Sequence, residues 1–180
     1  MTTMQHVIKR DWVVAKNIFL VAGFALFTAL SAQIRLPLPF TPVPITLQTF
    51  SVLLAGALLG SRLGFSSQAI YVGLGALGIP VFAGSLGLFG PTGGFLVGFV
   101  AAAYLIGAIL GNMRASLLKI FLAMLAGEFV LYTLGTIWLM LLLHTSLTAA
   151  LAMAVLPFLP GEVIKLFSAA VAAYELRRRF

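Results

Sequence analysis

The sequence predicts an all-α integral membrane protein of one domain, residues 1–180, with six transmembrane helices. Of the 180 residues, 62% are hydrophobic and only 8% are charged, and the mean hydropathy is +1.14. Soluble domains carry about 25% charged residues, so this chain has too few polar side chains to cover a soluble surface. Several apolar runs reach the ~17–25 residues that a helix needs to cross a bilayer. A membrane barrel would instead show ~10-residue segments of alternating apolar and polar residues.

The first span follows a polar, basic tail at residues 1–16, which we expect to be cytoplasmic. We expect this span to be retained, because the apolar run continues into LPLPF without the small-residue cleavage site of a signal peptide. Charged or Gly/Pro-rich segments separate the later apolar runs. The six predicted spans are residues 17–34, 45–61, 65–80, 94–111, 117–142 and 158–176.

The basic residues fall on one side of this six-span arrangement. All of the eleven Lys and Arg residues except Arg35 and Lys165 lie in the two tails or in the loops after the second and fourth spans. These nine are Lys9, Arg10, Lys16, Arg62, Arg114, Lys119, Arg177, Arg178 and Arg179. Because cytoplasmic loops are enriched in Lys and Arg, we expect both termini in the cytoplasm and a multi-pass protein of the bacterial inner or plasma membrane. The same distribution argues against reading the net charge of +7 as a nucleic-acid site.

The connections on the other side are longer, nearly neutral and rich in Gly and Pro. They cover residues 35–44, 80–93 and roughly 144–157, and all eight prolines lie in them or at their ends. The first contains most of LPLPFTPVPIT (residues 36–46), which its prolines exclude from a helix and suit poorly to a sheet. Irregular backbone near the membrane is tolerated where it is buried or lines a cavity. We therefore expect a lid over a pocket; a stiff connector is the alternative.

Two opposite charges lie within the sixth span, in LPGEVIKLF. Glu162 and Lys165 are i,i+3 neighbours on one helix face, and Pro160 suits the first turn of a helix, which places the pair near the outer end of the span. A charge within a span costs at least ~2.5–3.5 kcal/mol and marks a candidate functional site. Lys165 could face an anion while Glu162 accepts hydrogen bonds, or the two could form a self-neutralising structural pair.

Glu128, in LAGEFVLYTLG, is a third charged residue within a span. It could pair with Lys165, contact a neighbouring helix or belong to a proton path. No further titratable groups are aligned with it along the sequence. A structural polar contact is therefore the preferred interpretation.

Motifs for catalysis, metal binding and nucleotide binding are weak or missing. GLGALG (residues 73–78) fits GxGxxG, but it lies in an apolar span with no strand before it, so helix packing is preferred. His6 and His144 are isolated, the chain has no cysteine, and its only Asp is Asp11. A metal site and a Ser/His/Asp enzyme are thus disfavoured. There is no GxxxxGK[ST] sequence for ATP hydrolysis, and we expect a protein that is not an enzyme.

Small residues repeat along one face of the first span. They are Ala22, Ala25, Ala29 and Ala32. Small faces let helices approach closely in lipid. The stripe either packs inside the bundle or docks a partner membrane protein, and the sequence alone does not distinguish the two.

Three segments resemble the BioY family, the biotin-specific substrate-binding (S) components of energy-coupling factor (ECF) transporters. They are PLPFTPVPITLQTFSVLLAGALLG (37–60), GLGALGIPVFAGSLGLFGPTGGFLVGF (73–99) and PGEVIK (160–165). The resemblance extends over nearly the whole chain. The last motif of the family usually reads PGD-x-x-K, so Glu162 stands here in place of Asp and carries its carboxylate one methylene further out.

The resemblance implies high-affinity capture of biotin on the outer side of the membrane, with the first outer loop as the lid. A separate transmembrane T component and ABC ATPases would energise uptake, and the T component would meet Ala25 and Ala29. Biotin is then the transported ligand, and no cofactor is expected. The expected binding residues are Lys165 and Glu162 as polar anchors, Gln48, Tyr71 and Thr92 as further hydrogen-bonding groups, Phe82 and Phe95 against the rings, and Arg35 for the carboxylate.

A stand-alone secondary transporter for a small anionic, vitamin-like substrate is the alternative. Such transporters are often built from repeats, and residues 1–90 and 91–180 show no visible similarity. A conduction path also needs polar residues along its depth, whereas the inner halves of the spans are almost purely apolar. Both features favour a pocket that is open on one side.

Overall fold

The structure is a computed structural model that describes residues 2–84, 87–111 and 115–179, with side chains from residue 11 onward. The described part is mainly helical, as the sequence predicts, and it contains one small sheet that the sequence does not predict. Its elements are α1 (Thr2–Gln33), β1 (Arg35–Leu38), β2 (Thr41–Thr46), α2 (Gln48–Ala76), a 3₁₀ turn (Gly87–Phe89), α3 (Gly93–Leu110), α4 (Leu117–Leu143), α5 (Leu147–Ala154) and α6 (Leu159–Arg179).

Helix α2 folds back on itself at Gly60. This residue has φ 79° and ψ −179°, a conformation that interrupts the helix and that is essentially restricted to glycine. Gln48 Nε2 donates a 2.6 Å hydrogen bond to the Tyr71 hydroxyl, although 23 residues of continuous helix would separate the two by about 34 Å. Residues 48–59 and 61–76 are therefore two antiparallel helical arms, where the sequence predicts the second and third spans.

Four helices of the described part are long and apolar enough to cross a membrane: Asp11–Gln33, Gln48–Ala76, Gly93–Leu110 and Leu117–Leu143. Helices α5 and α6 meet at 56° and qualify only as a bent pair, which raises the number to at most five. That number treats α2 as a single span. Each arm of α2 alone is shorter than the ~17 residues of a full span, which is why the number differs from the predicted six.

The proline-rich segment forms a β-hairpin, so the expectation that it would pair poorly in a sheet is wrong. Strands β1 and β2 run antiparallel with Arg35 opposite Thr46, and the register shifts between Leu36 and Leu38, around Pro37. In a two-stranded sheet each strand has one edge without a partner strand. A proline whose nitrogen lies on that edge removes no hydrogen bond between the strands. The rule against proline in sheets therefore applies only weakly here.

Two other elements differ from the predicted boundaries. Helix α1 begins at Thr2, so residues 2–16, which the sequence predicts as a tail, belong to the first helix. The third outer connection contains α5. Helix α6 begins at Leu159, in agreement with the start expected from Pro160.

The ends of α3, α6 and the first arm of α2 meet at one end of the bundle. There Arg177 donates to the carbonyl oxygens of Ala57 and Gly111, at 2.5 and 3.0 Å. Arg62 follows the Gly60 turn at this same end, and the predicted loop residue Arg114 lies outside the described residues. We call this the basic end; the starts of α2, α3 and α6 lie at the opposite end.

Candidate ligand-binding site

A cavity with a free volume of about 40 Å³ lies under the β-hairpin, opposite the basic end. Residues from β2, α2, α3, α4, α6 and the connections that precede α3 and α6 line it. Apolar and aromatic side chains surround a few polar ones, as in pockets for small molecules. The lining residues are Val43, Pro44, Thr46, Gln48, Thr49, Ala83, Thr92, Phe95, Leu96, Phe99, Tyr132, Phe158 and Glu162.

Lys165 uses all three protons of its ammonium group inside the protein. Nζ donates to the main-chain oxygen of Thr46 at 2.8 Å and to Thr49 Oγ1 at 3.0 Å, and it forms an ion pair with Glu162 Oε1. An ammonium group has three donors and no acceptor. In this arrangement all three donors of Lys165 go to protein oxygens, so it holds Glu162 and the end of the hairpin. Contact between Lys165 and an anionic ligand stays a prediction.

Glu162 has one paired and one unpaired carboxylate oxygen. The residue is 3% exposed and lines the cavity, and its Oε2 has no hydrogen-bond partner among the described residues. The residue lies in the first turn of α6, at the positive end of the helix dipole. A buried acceptor without a partner costs about 1–3 kcal/mol, more if charged, so Oε2 is the atom that a ligand N–H would satisfy.

Gln48 and Tyr71 form a buried pair across the two arms of α2. Gln48 lines the cavity, whereas Tyr71 lies behind it and donates to the Val81 main-chain oxygen at 3.2 Å. Gln48 Nε2 is occupied by the Tyr71 hydroxyl. Tyr71 therefore orients Gln48 rather than lining the cavity itself.

The predicted aromatic residues have different positions. Phe95 lines the cavity and packs edge-on against Tyr132, with ring centroids 5.8 Å apart. Phe82 instead packs edge-on against Tyr71, at 5.5 Å. Thr92, which precedes α3, lines the cavity as well.

Arg35 connects the hairpin to the segment between α2 and α3. Its guanidinium donates to the main-chain oxygen of Ala83. A second connection runs from Thr41 Oγ1 to the main-chain oxygen of Met153 on α5, at 2.8 Å. The hairpin is thus held at two points over the cavity, and Arg35 closes the site in this conformation.

Several lining residues are not among the predicted binding residues, including Thr49, Phe99, Tyr132 and Phe158. Three of these four have a neighbour that was singled out. Thr49 follows Gln48, and Phe99 and Tyr132 lie one helical turn after Phe95 and Glu128. Helical spacing from Phe95 and Glu128 was the signal that could have found Phe99 and Tyr132.

The small stripe of α1 faces the bundle in part. Ala25 is 4% exposed and packs among the buried residues of the bundle, and Ala29 is half-buried beside it. Ala25 therefore packs inside the bundle in this conformation, and contact of the stripe with a partner stays a prediction. Large apolar side chains such as Phe19 and Leu26 form the exposed face of α1.

Comparisons with known proteins agree along nearly the whole chain. The model of the BioY family matches residues 2–180. A probable biotin transporter BioY of Pyrococcus horikoshii is 41% identical over 167 residues, which cover 91% of this chain and 97% of that protein. The biotin transporter BioY of Thermotoga maritima is 39% identical over 160 residues, covering 85% and 92%.

A solved structure has the same fold. The S-component for biotin from an ECF-type ABC transporter matches with a TM-score of 0.83 and 27% identity, covering 99% of this chain and 95% of that one. The family match, the two relatives and this fold lead to one conclusion: the chain belongs to the BioY family.

Proposed function

We propose that this chain captures biotin as the S component of an ECF-type importer. The observation that carries the proposal is the unpaired, buried Oε2 of Glu162 in a cavity lined by aromatic side chains. Biotin combines an apolar bicycle and alkyl chain with a ureido group whose N–H groups are donors. The names of the relatives and of the matching structure support biotin as the ligand.

The binding residues divide into two groups. Glu162 accepts a ureido N–H, Gln48 and Thr92 supply further polar contacts, and Phe95 packs against the rings. Lys165, Tyr71 and Phe82 act through these residues, Lys165 by holding Glu162 and the other two by supporting Gln48. Arg35 closes the hairpin and, once released from Ala83, is free to attract the carboxylate of biotin.

Biotin enters through movement of the hairpin. One water molecule needs about 10–15 Å³ of such free volume, so a cavity of about 40 Å³ admits only a few waters. A bicyclic ligand requires more. The two connections of the hairpin, Arg35 to Ala83 and Thr41 to Met153, are the bonds that must open.

As a member of a transporter family with several apolar helices, the chain is a multi-pass membrane protein and not an enzyme. We further propose six spans with both termini in the cytoplasm. Counting the two arms of α2 separately and the bent α5–α6 pair as one span supports six. The basic end lies opposite the cavity, so the positive-inside rule supports a cavity that faces outward.

Uptake is driven by a separate T component and ABC ATPases in this proposal. The chain has no P-loop sequence, so the energy comes from other subunits. Contact through Ala25 and Ala29 remains a prediction. Since Ala25 is buried, the T component would reach it only after α1 shifts.

Calorimetric titration of biotin into the detergent-purified chain tests the proposal. We expect saturable one-to-one binding that Glu162→Ala weakens at least tenfold (~1.4 kcal/mol). Glu175→Gln is the matched control, because Glu175 is half-exposed near the end of α6, far from the cavity. Folded wild-type protein that takes up no biotin would overturn the proposal. Flux of radiolabel driven by a proton or sodium gradient in vesicles with this chain alone would favour the secondary transporter instead.

A further inference from the structure

A second carboxyl group lies behind Glu162. Glu128, on α4, is 7% exposed, and its side chain is within hydrogen-bonding reach of the Glu162 carboxyl group on α6. It does not line the cavity among the described residues. The contacts proposed for biotin do not involve Glu128.

The charges of this group do not balance if both carboxyl groups are ionised. Lys165 is the one cation that acts on Glu128 among the described residues, and its other two hydrogen bonds go to neutral oxygens. Tyr132, on α4 itself, faces both carboxyl groups, and its neutral hydroxyl is within hydrogen-bonding reach of Glu162 without meeting the geometry of a hydrogen bond to Oε2. No ionisable residue of α2, α3 or α5 acts on Glu128 in the described part. Two carboxylates and one ammonium group leave a net negative charge in the interior, which is costly.

The hydrogen bonds do not balance either. Glu128 Oε1 and Glu162 Oε2 are both buried without a partner among the described residues. Carboxylates accept hydrogen bonds but cannot donate them, so two ionised groups side by side repel each other. A single proton corrects both deficits, because it removes one negative charge and turns one carboxyl group into a donor.

We propose that the Glu128–Glu162 pair holds one proton at neutral pH, with the Glu128 carboxyl O–H donating to Glu162. Glu128 is thus a positioning residue: its O–H fixes the Glu162 carboxyl group while Lys165 holds Oε1. A carboxylate oxygen has two lone pairs, so Oε2 still accepts an N–H from the ligand. The group as a whole is neutral and suits a neutral N–H donor, such as a cyclic urea, better than a cation. This last step rests on the proposed function.

Infrared spectroscopy tests the proton without any ligand. The chain has only four acidic side chains, and two of them, Asp11 and Glu175, are exposed. We therefore expect the wild-type protein at neutral pH to show the C=O stretch of one protonated carboxyl group. Glu128→Gln should abolish this band, and the control Glu175→Gln should retain it. A wild-type spectrum without the band, or a band that survives in Glu128→Gln, would overturn the inference.

The pH dependence of biotin binding distinguishes positioning from simple packing. Removing the shared proton at high pH makes the two carboxylates repel, so wild-type affinity should fall at least tenfold there. Glu128→Gln keeps a neutral donor and should bind biotin at neutral pH within about twofold of wild type, without the fall that the proton causes. Glu128→Leu, which cannot donate, should bind at least tenfold more weakly. Equal pH profiles for wild type and Glu128→Gln would contradict the proposal.

The two proposals fail in different ways. Wild-type protein that shows the infrared band but no biotin binding would refute biotin as the ligand and keep the shared proton. Biotin binding without the infrared band would refute the shared proton and keep biotin as the ligand.

Discussion

Lys165 Nζ donates a 2.8 Å hydrogen bond to the main-chain oxygen of Thr46, which ties α6 to the last residue of the hairpin. The two residues are 119 positions apart in the sequence. The same ammonium group holds Glu162. One side chain thus connects the cavity floor to the segment that covers it.

Replacing Lys165 by Met should both destabilise the protein and impair binding. It leaves Glu162 buried with no cation, and breaking a buried ion pair by removing one partner costs about 3–5 kcal/mol. We expect a lower thermal midpoint and biotin affinity reduced at least tenfold. In the double variant Lys165→Met/Glu162→Gln the thermal midpoint should recover while binding stays weak. A double variant no more stable than Lys165→Met would show that the ion pair is not the cause.

Loosening the hairpin should speed the release of biotin. Thr41→Val keeps the shape of the side chain and removes the bond to Met153, together with the bond that the Val43 N–H donates to the same hydroxyl within the hairpin. A lost hydrogen bond of about 1 kcal/mol corresponds to an about fivefold faster dissociation if the bond must break on opening. Chase experiments with radiolabelled biotin measure this rate. Thr133→Val is the control, because its exposed hydroxyl bonds only within α4, to Phe129; equal rates for both variants would contradict the role of the hairpin.

Gly60→Ala should destabilise the fold without altering the cavity. A Cβ at this position meets nothing within 4 Å, so the cost comes only from φ 79° and amounts to about 1–3 kcal/mol. Thermal unfolding measures it. Gly23→Ala is the matched control: it also meets nothing within 4 Å but lies in α1, where alanine favours the helix. Equal losses of thermal stability in the two variants would show that the backbone conformation of Gly60 is not the cause.

The proposed membrane orientation can be measured by labelling cysteines introduced one at a time, because the chain has no cysteine of its own. Phe89, 85% exposed in the 3₁₀ turn near the cavity, and Glu175, half-exposed near the basic end, are suitable positions. In intact cells a membrane-impermeant thiol reagent should label Phe89→Cys. It should label Glu175→Cys only after permeabilisation. The reverse pattern would place the cavity on the cytoplasmic side.

Hydropathy and charge sufficed to predict a mainly helical membrane chain and to single out Glu162, but not to find α5. These are properties of single residues and their near neighbours. The role of Lys165 was not predictable, since two of its three acceptors, Thr46 and Thr49, lie more than a hundred residues away. The contact of Glu128 with Glu162 joins two helices whose facing sides no periodicity reveals. The hairpin was missed because proline preferences derived from wide sheets do not hold for a two-stranded ribbon.

The turn at Gly60 also has a consequence for biogenesis. Because the two arms of α2 lie next to each other, Gln48 and Tyr71 meet over a short loop and can pair as soon as this hairpin of helices has entered the membrane. Glu162 and Lys165 are synthesised after the rest of the site. The site is therefore complete only in chains in which α6 has been inserted, and a ligand that binds there stabilises those chains alone. Vitamin supplied during synthesis should thus protect full-length protein, but not a nascent chain lacking α6, from membrane quality-control proteases.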